Sequence, residues 1–183
     1  MITALLHRFR RDCRGIAMIE FGFALPILIT MTFGTVELSR YVLLHQKLDR
    51  IAMTIADLTA QSEELAETDV ANIFAAVSHI GQPFEVNASG LVILTSVSRS
   101  GTQVTVDWQR FNAGAITAAS RIGQPGLAAT LPDGLVLLDG DNVIVSEVFY
   151  DFAPMLTGTL LSTQQLYHSA FFRPRFGALD AIE

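Results

Sequence analysis

The sequence predicts an α+β protein, in which one long apolar N-terminal helix runs into a domain built on an antiparallel sheet of about four strands. Three observations carry this expectation. A nearly uncharged run spans Ile16 to Val36. An apolar stripe at steps of three and four follows it. From Gly90 onward the apolar period shortens to two.

The apolar run is 21 residues, IAMIEFGFALPILITMTFGTV. As a helix it spans roughly 32 Å, enough for a hydrocarbon core of about 30 Å. Thr30, Thr32 and Thr35 can return their hydroxyls to helix carbonyls and so are tolerable in lipid. Pro26 removes one backbone hydrogen bond and should kink or interrupt the helix.

Charge is distributed to match. Residues 1–15 carry Arg8, Arg10, Arg11 and Arg14 against Asp12, the apolar run and Glu37 carry two acids, and the remainder is acidic. The whole chain of 183 residues has a net charge of −6, so it is not a nucleic-acid binder. Only 16% of residues are charged and mean hydropathy is +0.41, both signs of a membrane segment. The basic head places the N-terminus in the cytoplasm and the acidic body across the membrane. The single cysteine, Cys13, excludes an intramolecular disulfide framework. Its position before the apolar run argues against lipidation.

Past the run the stripe reads Tyr41, Leu44, Leu48, Ile51, Ile55 and Leu58, so the helix should continue to about Gln61. Two uses fit this stripe, packing on the protein's own sheet or a seam for a partner helix. The polar stretch Ser62–Glu67 ends the helix, and Thr68 should cap a second one running to about His79. Leu91–Val97 and Thr102–Phe111 form a hairpin about a turn at Ser98–Gly101, with Val104, Val106 and Trp108 on one face. Asn112–Gly134 reads as a long connection. Asp139–Asn142 reads as a tight turn, lacking the spacing of a calcium loop. Asn142–Ala153 and Ser162–Arg173 supply two further strands. The expected division is a basic leader at 1–15, a transmembrane helix at 16–36, an amphipathic extension at 37–61 and an α+β domain at 62–183.

Glu20 does not fit an ordinary anchor, because a carboxylate in hydrocarbon costs a few kcal/mol or more unless partnered. It stands five residues after Gly15, a small residue at the junction of the basic head and the apolar run. Cleavage after Gly15 would free an α-amino group on Ile16, largely cationic at neutral pH. On a neighbouring helix that group could neutralise Glu20 and set axial register.

Gly15-Ile16-Ala17-Met18-Ile19-Glu20-Phe21 resembles the prepilin peptidase site of type IV pilin-like proteins. With Ala24-Leu25-Pro26, Gly34-Thr35-Val36-Glu37 and Arg40, the segment resembles the TadE-like minor pilins (pseudopilins) of tight-adherence pilus systems. The resemblance implies cleavage between Gly15 and Ile16 and a register role for Glu20 and Phe21. It implies an inner-membrane, single-pass protein with a periplasmic domain, possible entry into the pilus, and a role in pilus assembly and surface adhesion. Its implied partners are prepilin peptidase, other pilin subunits, the inner-membrane assembly platform and membrane lipid. No cofactor is implied. The competing class is an uncleaved single-pass protein presenting a periplasmic binding domain. No nucleophile elbow, phosphate loop or Cys/His cluster occurs, so the chain is not read as an enzyme.

Overall fold

The computed structural model describes residues 15–112, 114–155 and 161–182. Most of the basic leader, with Cys13, lies outside the described residues. The elements are α1 (Ile16–Ala60), α2 (Glu67–Gly81), α3 (Val86–Ser89), β1 (Gly90–Ser100), β2 (Gln103–Phe111), β3 (Asn142–Phe152) and β4 (Gln164–Phe172). The chain divides into two compact units whose boundary falls inside α1, between Arg40 and Tyr41.

In the second unit the four strands form one sheet in the order β2-β1-β3-β4, with every neighbouring pair antiparallel. β1 and β3 are central and almost wholly buried. The β1–β2 turn is two residues long, with Ser100 opposite Gln103. Gly101 holds φ +61° there and Thr102 does not share the positive φ, which fits a II′ hairpin with glycine first.

One face of the sheet takes the helices. Leu44, Leu48, Ile51 and Ile55 of α1 and Val70 and Val77 of α2 pack in one core with Val92, Leu94, Ile144, Val148 and Leu166. Tyr41, Leu44, Leu48, Ile51 and Ile55 of the stripe therefore find cover within their own domain. The other face is covered by the long connection between β2 and β3. Ile122 and Leu137 pack on Val97, Val106, Val143 and Val145, while Ile116 and Ala118 lie on Leu91, Ile93 and Phe149. The connection also pairs with the edge of β2, through Val106 N–H to Leu127 O at 3.0 Å and Ala129 N–H to Val104 O at 2.9 Å. Sequence periodicity could not show this, because the connection follows neither a helical nor a strand period.

Trp108 corrects the face assignment made from alternation. Ser96 faces Trp108 but Val97 faces Val106, so Asp107 is an extra residue in β2. A one-residue bulge inverts the side-chain parity beyond it. Val104 and Val106 thus join the core under the connection, and Trp108 joins the helix-side core. Its Nε1 donates to Leu179 O at 2.8 Å, fastening the C-terminal tail.

α2 also begins earlier than expected. Its N-cap is Ala66, and Thr68 sits within the first turn. Alanine offers no acceptor, but Asp69 Oδ2 accepts the Ala66 N–H at 3.1 Å and closes the turn from the other side.

Candidate functional site: the exposed apolar helix segment

The first half of α1 is apolar on every side and buries almost nothing. Met18, Phe23 and Met31 are 81%, 74% and 65% exposed, and Ile16, Ile19, Phe21, Ile27 and Leu28 are exposed with them. A helix apolar all round belongs in lipid or among other helices, not in water. This helix is long and apolar enough to cross a membrane. Its three threonines donate to carbonyls one turn back, Thr30 to Pro26, Thr32 to Leu28 and Thr35 to Met31, at 2.7–2.8 Å. They expose no unpaired hydroxyl hydrogen to an apolar medium. α1 passes through Pro26 without a break.

Gly15 stands just before the helix, its carbonyl accepting the Ile19 N–H at 3.1 Å. A methyl group added there would meet nothing within 4 Å among the described residues, so packing does not require glycine at this position. Glu20 and Phe21 lie in the second turn, both exposed. Farther along, Leu44, Leu48, Ile51 and Ile55 are fully buried and Tyr41 is half-buried, while Leu58 is 40% exposed. At about 100° per residue the four buried residues fall within about 60° of one another, and Leu58 lies at the edge of that arc. Ala52, Ala56 and Thr59 extend the buried arc on its opposite side.

Three polar clusters in the second unit were invisible in the sequence. His45 of α1 and His168 of β4 meet at 2.9 Å, Nδ1 to Nε2. They are 123 residues apart, and no local pattern links them. Burial pulls the His45 pKa below its ordinary value, and the charge of His168 adds to this. Glu147 is fully buried on β3. It accepts from Arg121 N–H at 2.9 Å, from Tyr167 OH at 3.0 Å and from the Ser120 hydroxyl. It thereby pins the long connection to the sheet. Burial pushes the Tyr167 phenol up, and Glu147 adds to the rise. At the bulge, Asp107 Oδ2 accepts from Ser96 at 3.0 Å and Ser98 at 2.6 Å. Burial still pushes its carboxyl above the usual range. Among the described residues no group of three or more His, Cys, Asp or Glu could hold a metal ion.

These features define a class: an α+β domain carried on a helix that can cross a membrane. Residues 15–57 match the family described as TadE-like protein, so it is this N-terminal segment that is similar to that family. The matched stretch begins at Gly15 and covers both the exposed and the buried parts of α1 up to Asp57. No curated protein and no solved structure matches the chain.

Proposed function

We propose that this protein is a minor pilin of a tight-adherence type IV pilus, cleaved by prepilin peptidase between Gly15 and Ile16. One observation carries the reading. A fully exposed apolar helix opens directly after a glycine that packing does not require, and holds a carboxylate at its fifth residue, Glu20. In lipid that carboxylate needs a partner, and the α-amino group freed at Ile16 of an adjacent subunit supplies one. The TadE-like match over residues 15–57 supports the same reading.

In this role the segment from Ile16 to Val36 anchors the chain in the inner membrane and packs with other pilin helices. The domain from Tyr41 onward stands in the periplasm and contributes to assembly and adhesion. The test is the intact mass of the protein from membranes, with and without the peptidase. A chain starting at Ile16 only when the peptidase is present supports the proposal. A chain starting at Met1 in both cases overturns it and favours an uncleaved anchor bearing a periplasmic binding domain. Glu20→Ala should spare membrane insertion and reduce pilus assembly.

A further inference from the structure

The His45–His168 contact joins the amphipathic part of α1 to β4, an edge strand of the sheet. A hydrogen bond between two imidazoles needs one N–H and one bare nitrogen. His168 Nδ1 lies 3.8 Å from Asp49 Oδ1, an ion-pair approach and not a hydrogen bond. His45 Nε2 is buried and has no protein hydrogen-bond partner among the described residues. Whichever ring donates, the contact holds a single proton between the two facing nitrogens.

Protonation of both rings sets two N–H groups against each other at 2.9 Å and breaks the contact, and a proton on His45 Nε2 leaves a buried N–H with no partner among the described residues. The groups facing the pair come from α1, β3 and β4. From α1, Tyr41 sets its ring edge-on to His45 at 4.5 Å, and its hydroxyl accepts from Gln164 of β4 at 2.9 Å. From β3 come Val148, opposite His168, and Tyr150 and Phe152 on the same face. Asp49 is the facing acid, and its side chain is 47% exposed. Lys47 and Arg50, the basic residues that follow His45 along α1, stand about 160° and 140° around the helix from it, and Glu37 and Arg40, toward the N-terminus, pair with each other at 3.7 Å.

We propose that the His45–His168 pair is a pH-sensitive latch that seats α1 on β4 at neutral pH and releases it below the histidine range. The sign follows from linkage. The His45 pKa is lowered on folding, by burial first and by His168 second. Its stabilising contribution is therefore full above the unfolded value of about 6.5 and is lost as pH falls toward the lower folded value. The latch rests on the fold of the second unit and not on the pilin assignment.

The experiment uses the full chain in detergent micelles. Nuclear magnetic resonance follows the two imidazoles from about pH 8 to about pH 5, across the histidine range. The expected result is that His45 titrates below its ordinary value of about 6.5. In the same chain, with Cys13→Ser, spin labels at the exposed positions Gln46 and Gln165 report the distance between α1 and β4. The released population should rise about tenfold between about pH 7.5 and about pH 5.5, the upper worth of one hydrogen bond. His168→Asn should abolish that rise. Titration of His45 at or above its ordinary value, or a label distance unchanged with pH, would overturn the latch. The wild-type titration decides the matter even if the variant fails to fold.

Discussion

Leu48→Ala should destabilise the second unit by about 3 kcal/mol, whereas Leu58→Ala should cost less than about 1 kcal/mol. The two leucines belong to one sequence stripe but meet different surroundings. Leu48 is 0% exposed and packs in the core that also holds Val92, Leu94, Ile144 and Val148. Removing its isopropyl end loses roughly 2 kcal/mol of transfer energy, and the cavity left in a close-packed core adds the rest. Leu58 keeps 40% of its surface in solvent, so truncation opens no closed cavity and forfeits only part of the transfer term. Urea unfolding of the full chain in micelles, followed by Trp108 fluorescence, measures both. For a domain of this size the Leu48 variant should also lose about 6–12 °C in melting temperature. Equal losses for the two variants in monodisperse protein would refute the assignment of this stripe to the domain's own core. A Leu58 variant of normal stability that assembles poorly would instead place Leu58 on a surface used by a partner helix.

Two other perturbations probe the polar clusters. Glu147→Gln leaves one of three donors facing an amide NH₂ in a fully buried site and should cost about 2–4 kcal/mol. It should also lower the Tyr167 titration, read by proton resonance of the ring, because the carboxylate contributes to the raised phenol value. Asp107→Asn should be neutral or stabilising by up to about 1 kcal/mol at pH 7, since burial penalises the charged form and the site is only half-buried. A raised carboxyl pKa weakens the native state at neutral pH, and the penalty lifts as pH falls through the folded value to the unfolded one. The difference between wild type and Asp107→Asn should therefore vanish by about pH 3, below both values, in urea titrations. A variant less stable at pH 7 by more than about 1 kcal/mol would mean that the Ser96 and Ser98 hydroxyls require the charge.

The helices and strands were legible because each carries one pattern for many residues. The stripe from Tyr41 to Ile55 and the continuous β-branched-rich runs of β1 and β3 are repeated local signals that extend over several residues. Trp108 was misplaced because a bulge is a single-residue event. Alternation read across Asp107 assigns the wrong face to everything beyond it, and no residue type at 107 announces the extra position. The cover over the second sheet face was illegible for another reason. Ile116, Ile122 and Leu137 are apolar residues in an irregular segment that follows no fixed period, and the segment is tied to the sheet by the buried carboxylate of Glu147, which lies beyond it in sequence. His45 and His168 likewise belong to different elements, and only the strand order β2-β1-β3-β4 exposes β4 at the sheet's edge. In the exposed part of α1, by contrast, Gly15, Glu20 and Phe21 were readable as a motif. Their spacing is a property of the chain itself and needs no tertiary contact.

The two parts of α1 impose opposite demands on one continuous helix. From Tyr41 to Ala60 one apolar arc, centred on Leu44, Leu48, Ile51 and Ile55, is covered within the domain, while Val42, Leu43, Met53 and Leu58 stay exposed. From Ile16 to Val36 the apolar surface goes all the way round, so no single sheet could cover it. Lipid satisfies every residue of that segment except Glu20. A second helix satisfies Glu20 only if it brings a cation to the same depth. The basic residues Arg8, Arg10, Arg11 and Arg14 all precede Gly15, outside the apolar run. The cation best placed by sequence is therefore the α-amino group that cleavage would create at Ile16. If the proposed pilin assignment holds, cleavage and assembly are one requirement. An uncleavable chain should insert but carry an unneutralised Glu20, and Glu20→Gln should partly restore its assembly. If the uncleaved chain assembles equally poorly with and without the Glu20→Gln substitution, the link between cleavage and assembly is broken.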